Sequence, residues 1–343
     1  MNSNRRVKVP RPFSGGLILS YRCSAACRHC MYGCSPAWNA EWIAEEMLGN
    51  GLAQLAGKIQ ASQQGAKGVS LNYGLHFTGG EPFLNFDLLL KAVQIAEKLK
   101  IPSTFVETNC FWCTSDEVTR ERLSLLKASG LRGILISVNP FYAEFIPFER
   151  TERCVQISGE VFGRNVMVYQ LEYYQLFRRL GIRKQIAPED SLNIIHTEYG
   201  SANVEFFMMG RAVSRLRDLA PAHRAAAFFR QPCRPEFLRS WHNHFDNYGN
   251  LLPGYCGGIS LGNWLHLDSL TEEGIDLGFH PILSFLISGN MEGLFQFARH
   301  FGYREAERGY VSKCDLCLDL RRFLAGRGDF EELAPKEFYE HVE

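Results

Sequence analysis

The sequence predicts an α/β protein built on a parallel sheet and followed by a smaller cysteine-rich region. Two observations carry the first part. Apolar segments of about five to eight residues alternate with helical stretches of about ten to twenty, the pattern of βαβ units. Two of the segments run directly into polar or glycine turns, Thr78-Gly-Gly-Glu-Pro82 and Glu107-Thr-Asn109. The second part rests on a change of character beyond about residue 225, where four cysteines, Gly257-Gly258 and Gly262 lie in longer irregular segments. The reading divides the chain into an N-terminal segment with the first strand (1–19), a core domain (20–228) and a C-terminal domain with a helical tail (229–343).

In chain order, Gly16 to Ser20 reads as the first strand and leads into Cys23-Ser-Ala-Ala-Cys27-Arg-His-Cys30. Trp42, Ile43, Met47, Leu48, Leu52, Leu55 and Ile59 recur at helical spacing and predict a helix over about 40–63. A strand follows near 70–77, then a helix from Phe86 to Leu99 with Leu89, Val93 and Ala96 on one side. Ser103 to Glu107 is the next strand, 115–129 a helix, and Gly133 to Val138 another strand. Pro140, Pro147, Gly159 and Gly163 make 139–165 read as a long connection. A helix over about 166–180 and a strand over about 203–209 complete the series.

The 343 residues are 46% hydrophobic and 22% charged, enough to bury a sizeable core. Lys+Arg and Asp+Glu are both 37, so no net charge favours nucleic acid or an anionic membrane. No apolar run reaches the roughly 18 residues of a membrane span, and Met1 to Phe13 does not read as a signal peptide. The expectation is a soluble cytoplasmic protein. Its 11 cysteines are odd in number and clustered, which argues for metal ligation over a disulfide framework.

Cys23, Cys27 and Cys30 offer three thiolates from one short loop. Structural zinc wants a closed shell of four, so three suit a 4Fe–4S cluster with one iron left without a protein ligand. A zinc loop that borrows Cys34 is the alternative on spacing alone. Together with Gly79-Gly80-Glu81-Pro82 after the second strand, the loop closely resembles the radical S-adenosylmethionine (radical SAM) superfamily, over about residues 20–225. The resemblance implies a partial (β/α)6 barrel with its active site at the C-terminal ends of the strands. It makes Cys23, Cys27 and Cys30 the ligands of the catalytic 4Fe–4S cluster, whose fourth iron binds the amino and carboxylate groups of SAM. By the same resemblance Gly79, Gly80 and Glu81 hold the methionyl amino group, and His29 lies near the adenine. Glu107, Asn109 and Ser137 match positions that contact the ribose and carboxylate. Arg211 is a candidate for the SAM carboxylate, a surface arginine at a helix start being the alternative. On this reading a methyl at Gly80 meets the cofactor and leaves cluster content unchanged.

Cys233, Cys256, Cys314 and Cys317 are separated by 22, 57 and 2 residues. Asp246-Asn-Tyr-Gly249 followed by Leu251-Leu-Pro-Gly-Tyr-Cys256 predicts a hairpin that presents one thiolate. This part resembles the twitch domain, the shortened form of the SPASM extension, and implies one auxiliary 4Fe–4S cluster on the four cysteines. A structural zinc on the same four is the alternative. His242 and His244 are read as alternation on a half-exposed strand. Cys110 and Cys113 form a CxxC past a strand end and are weak catalytic candidates, with packing of a reduced pair as the simpler reading. Cys34 and Cys154 are read as structural. Phe141, Tyr142, Phe145 and Phe148 read as pocket wall or core.

The resemblance implies an oxidoreductase-type enzyme that cleaves SAM to a 5′-deoxyadenosyl radical, takes a substrate hydrogen and oxidises the substrate radical through the auxiliary cluster. A flavodoxin- or ferredoxin-type electron donor and a small-molecule or peptide substrate are the implied partners. Only about 20 residues precede the cysteine loop, which favours a small molecule or a peptide delivered by another protein. Alternatives are a peptide maturase forming a crosslink or epimer, a redox-neutral reaction, or a non-catalytic iron–sulfur or zinc sensor.

Overall fold

A computed structural model of the chain describes residues 6–195 and 207–343. The expected alternation of strand and helix is present. The chain forms two units, one of Phe13–Cys27 with Cys34–Phe206, the other of Met1–Pro12, Arg28–Gly33 and Phe207–Glu343. Strand β1 (Arg6–Val7) belongs to the second unit.

The first unit holds β2 (Ser14–Ile18), α1 (Glu45–Leu55), β3 (Gly74–Thr78), α2 (Phe86–Lys98), β4 (Phe105–Thr108), α3 (Asp116–Ala128) and β5 (Gly133–Ser137). It continues through α4 (Pro140–Ala143), α5 (Phe148–Phe162), β6 (Val166–Tyr169), α6 (Leu171–Arg179) and α7 (Pro188–Ile194). Strands β2 to β6 pair in sequence order and all parallel, with Ile18 opposite Thr78, Thr108 opposite Ile136 and Ser137 opposite Tyr169. Every residue of β2 and β3 is buried, as expected of parallel strands covered on both faces. The side chains of Asn85 and Ser115 cap α2 and α3 by accepting from Leu88 N and Val118 N at 3.2 and 3.3 Å. The helices then turn Leu89, Val93 and Ala96, and Leu123 and Leu126, inward.

Expectations for several elements are corrected here. The stretch 139–165 is not a long connection: it contains α4 and the 15-residue α5. Pro140 stands at the first turn of α4, Pro147 is the residue before α5, and Gly163, at φ +64°, ends it. These breakers punctuate helices, since proline is tolerated where an N–H has no helical partner. The helix expected over 166–180 is instead β6 followed by α6, with Gln170 in the left-handed region (φ 67°) between them. Helix α1 is also shorter than the expected 40–63. Phe148 joins Val138, Ala143, Tyr173, Leu176 and Phe177 in a core cluster, and Phe141 is fully buried, so these two aromatics are core. The strand expected over 203–209 begins outside the described residues, and Phe207 to Met209 form no strand.

The second unit contains α8 (Ala212–Arg215), α9 (Arg234–Phe237), β7 (Asn243–Phe245), β8 (Leu251–Leu252) and α10 (Leu267–Glu272). After these come β9 (Ile275–Asp276), α11 (Pro281–Ile287), α12 (Met291–His300) and α13 (Lys313–Ala325). β1 pairs antiparallel with β9. β7 and β8 form the expected hairpin, with Asp246 accepting from Tyr248 N and Asn250 N to set the turn. Residues 207–228, read from the sequence as the end of the core domain, group with this unit. No helix among the described residues is long and apolar enough to cross a membrane.

Candidate cluster and cofactor site

In the first unit, the pairing of β2 with β3 continues past both strand ends. Leu19 N donates to Thr78 O at 3.0 Å, Gly80 N to Ser20 O at 2.8 Å and Glu81 N to Arg22 O at 2.9 Å. The glycine turn is thereby laid against the segment that enters the cysteine loop. A methyl on Gly79 would overlap Ser20 O, and one on Gly80 would overlap Arg22 O and approach Cys23 N. The glycines are therefore required by a backbone-to-backbone contact within the chain, before any cofactor is considered. Cys23 N donates to Ser35 O, and Arg22 donates from Nε to Ala40 O at 2.6 Å, which fixes the returning strand of chain alongside.

Glu81 is buried and faces into the protein. Its carboxylate accepts from Thr108 Oγ1 at 2.9 Å, Asn109 N at 2.8 Å and Phe83 N at 3.3 Å. Burial pushes its pKa up to about 8, while the hydrogen bonds from Asn109, Thr108 and Phe83 pull it down. Its job in this geometry is to tie the end of β4 to the glycine turn. Asn109 extends its amide to Ser24 Oγ at 3.0 Å and to Cys23 Sγ at 3.7 Å. Glu107 accepts from Thr78 Oγ1 at 2.8 Å and has His76 Nε2 at 3.5 Å; burial pushes it up to about 7 against the Thr78 bond. Ser137 ends β5 one step beyond the Thr108–Ile136 pair and is partly exposed. The structure thus brings Cys23, Gly79, Gly80, Glu81, Glu107, Asn109 and Ser137 to the C-terminal ends of parallel strands, with Cys27 in the same unit.

Cys30, His29 and Arg211 lie in the second unit. Arg211 N donates to Cys30 O at 3.0 Å, and its guanidinium donates to Gly33 O and to His341 O at 2.9 Å. A methyl on Gly210, at φ +55°, would overlap Met31 O. Residues 210–211 therefore clamp the segment that bears the third cysteine. Arg211 is buried at 5% exposure and is not the surface arginine of the alternative reading. Burial, and then the Arg211 charge, lower the pKa of His29 to about 3, which keeps the ring neutral.

Also in the second unit, Cys233, Cys256, Cys314 and Cys317 line one cavity with Phe237, Tyr255 and Arg321. Cys314 sits in the first turn of α13, capped by Ser312, with Cys317 at the start of the second, and Cys256 follows β8 in a turn closed by Cys256 N to Pro253 O at 3.0 Å. Burial raises the thiols of Cys233 and Cys256, to about 11 and about 12, so ligation by a cation is what would favour their thiolates. Arg321 is buried, donates to Gly257 O at 2.9 Å and Tyr339 OH at 3.1 Å, and lines the same cavity as the four cysteines. Among the described residues no three of these sulfurs fall within 4.8 Å of one another. His242 and His244 are buried, not half-exposed; His244 Nδ1 lies 2.9 Å from Tyr32 OH and from Gly254 O.

Sequence reasoning missed the residues that hold these groups: Ser24, Thr78, Thr108 and Arg321. Ser24 sits inside the cysteine loop and was the most findable of them.

Residues 17–158 match the family model described as "Radical SAM superfamily". No curated protein matches the chain in sequence. Among solved structures the chain is similar to BtrN in complex with AdoMet and 2-DOIA, at TM-score 0.40 and 14% identity over 81% of this chain and 88% of that one. It is also similar to native anSMEcpe with bound AdoMet, at TM-score 0.43 and 13% identity over 96% and 99%. The same protein with AdoMet and Kp18Cys peptide gives TM-score 0.43 and 12% identity over 96% and 99%. The cysteine loop and the glycine turn laid along its entry both fall within residues 17–158, the part of the chain that matches the radical SAM superfamily.

Proposed function

We propose that this protein is a radical SAM oxidoreductase that acts in the cytoplasm on a small molecule or a peptide presented by another protein. The observation that carries the reading is the junction of the two motifs. Gly80 and Glu81 hydrogen-bond to Ser20 and Arg22 at the mouth of the cysteine loop, and Asn109 reaches Cys23 Sγ. When bound, a 4Fe–4S cluster and SAM supply one-electron reductive cleavage to methionine and a 5′-deoxyadenosyl radical that removes a hydrogen atom from a C–H bond. Cys23, Cys27 and Cys30 are the residues that would hold the cluster, and their number leaves one iron for the cofactor. Gly79 and Gly80 keep the approach free of side chains, while Glu81 fixes the ends of β3 and β4. Glu107 and Ser137 offer polar atoms at the strand ends, and Glu107, with its raised pKa, holds or releases a proton near neutrality.

Cys233, Cys256, Cys314 and Cys317 would hold one auxiliary 4Fe–4S cluster. Four protein ligands leave no open iron, so such a group serves electron transfer, and the Arg321 charge offsets the thiolates. The second electron would leave the substrate radical by this route, making the net reaction a two-electron oxidation with about one 5′-deoxyadenosine per product. A flavodoxin- or ferredoxin-type protein would supply the first electron. The test is to incubate the anaerobically reconstituted protein with SAM and dithionite. Formation of 5′-deoxyadenosine supports the reading; none, with the iron loaded, removes it.

A further inference from the structure

Helix α5, which the sequence concealed, brings a third cysteine to the CxxC. Cys110 and Cys113 lie on the loop between β4 and α3, and Cys154 on the second turn of α5. All three are unbridged thiols at 0% exposure, and their sulfurs lie within 4.8 Å of one another. We propose that Cys110, Cys113 and Cys154 form a binding site for one thiophilic d10 cation, zinc(II) or copper(I), which staples this loop to α5. The site is separate from the seven cysteines assigned above and is wholly inside the first unit.

Spacing carries the argument. Three sulfurs bonded to one metal at about 2.3 Å stand roughly 3.8–4.0 Å apart, inside the observed limit. An iron–sulfur cluster spreads its cysteines wider, because inorganic sulfide lies between the irons. Soft thiolate sets select zinc or copper(I) among the common ions. The backbone is arranged for the purpose. Cys110 holds φ at 69°, a left-handed conformation that costs a non-glycine residue on the order of 1–3 kcal/mol, and this turns the loop so that Cys113 N bonds Cys110 O at 3.1 Å. Arg153 and Arg150, also on α5, donate to the carbonyls of Cys113 and Phe111. These cations are hydrogen-bonded to the loop that carries Cys110 and Cys113, in a site whose charge would be −1 with zinc(II) and −2 with copper(I). Copper(I) is satisfied by the three sulfurs; zinc(II) needs a fourth ligand, for which Ser158 Oγ, 3.8 Å from Cys154 Sγ, is the oxygen at hand.

The thiols already form a hydrogen-bonded set. Burial raises Cys110 and Cys113; at Cys154 burial is outweighed by hydrogen bonds from Cys110, Cys113 and Ser158, which hold its thiol well below the usual range. Binding is a plain exchange in which three cysteines take one cation and release the protons of Cys110 and Cys113, and that of Cys154 where it is still protonated, with no change of oxidation state. Asn109, which reaches Cys23, directly precedes Cys110, so the staple fixes the loop that serves the catalytic cluster.

The experiment uses the full-length protein, expressed in parallel with added zinc and with added copper, and purified without chelator. Iron, zinc and copper are counted per chain, and X-ray absorption is recorded at the edge of the non-iron metal. The expected result is one zinc or copper per chain with three sulfurs at about 2.3 Å, the two cultures telling which ion is taken. Cys110→Ser/Cys113→Ser/Cys154→Ser should lose that equivalent and keep its iron. Absence of either metal from both cultures overturns the proposal. So does a metal that survives the triple substitution, a shell of four sulfurs, or a disulfide among the three by mass. Should the triple variant fail to fold, the wild-type absorption spectrum decides alone.

Discussion

The two cysteine sets proposed to hold clusters are assembled over very different ranges of sequence. Cys23, Cys27 and Cys30 fall within eight residues, whereas Cys233 to Cys317 span 85. The first set is written into local spacing and needs only a turn and a neighbour to hold it. Backbone bonds from the glycine turn and the Gly210–Arg211 clamp supply that hold, each in its own unit. The second set exists only after a hairpin, a helix start and a long excursion have been folded together. Three ligands leave a coordination site for a substrate-like group, and four do not. The comparison teaches that the set proposed to be reactive is encoded locally, while the set proposed to be closed depends on tertiary structure.

The largest effect that separates the two regions comes from Cys23→Ala/Cys27→Ala/Cys30→Ala. Iron should fall from about eight to about four per chain, and 5′-deoxyadenosine formation should cease. Retention of all the iron would break the assignment. Gly80→Ala follows. Because the methyl overlaps Arg22 O and approaches Cys23 N, iron should drop toward four together with SAM cleavage. This differs from the expectation drawn from sequence, and an iron count of eight with cleavage lost would restore the cofactor-only explanation. Cys314→Ala tests the other region: about four irons remain, 5′-deoxyadenosine continues and oxidised product disappears. A product isobaric with substrate, formed by this variant, would make the reaction redox-neutral.

Smaller shifts sharpen the comparison. Arg321→Met removes a positive charge beside Cys317 and Cys256 at similar volume. The reduced auxiliary cluster should lose stabilisation, lowering its potential by roughly 60 mV, about tenfold in a one-electron equilibrium, while the first cluster is unmoved. An unchanged redox titration would mean that the guanidinium serves only Gly257 and Tyr339. Cys34→Ser should change neither iron nor zinc content; loss of metal there would revive the zinc-loop reading.

How far the sequence revealed these sites depends on the distance between the residues involved. Strands β2 to β5 and helices α2 and α3 were legible because apolar residues recur at the right period; the caps Asn85 and Ser115 that start the two helices emerged only with the structure. Helix α5 was hidden because Pro140, Pro147 and Gly163 look like loop formers, although they stand at helix boundaries. With α5 concealed, Cys154 looked like a lone structural thiol, and its convergence on Cys110 and Cys113 was out of reach. Arg211 and Glu81 show a further limit. Each was read as a cofactor contact, and the structure adds partners within the chain that the sequence did not reveal, Gly33 and His341 for Arg211 and Thr108 and Asn109 for Glu81. Local pattern names a residue's type and place; its partners come from the rest of the chain.

The most direct test of two clusters with unequal ligation is electron paramagnetic resonance of the dithionite-reduced, reconstituted protein, with and without SAM. The account predicts two reduced 4Fe–4S signals. One should shift when SAM is added and vanish in the Cys23/Cys27/Cys30 variant, and the other should ignore SAM and vanish in Cys314→Ala. A single signal, or two that both ignore SAM, would contradict it.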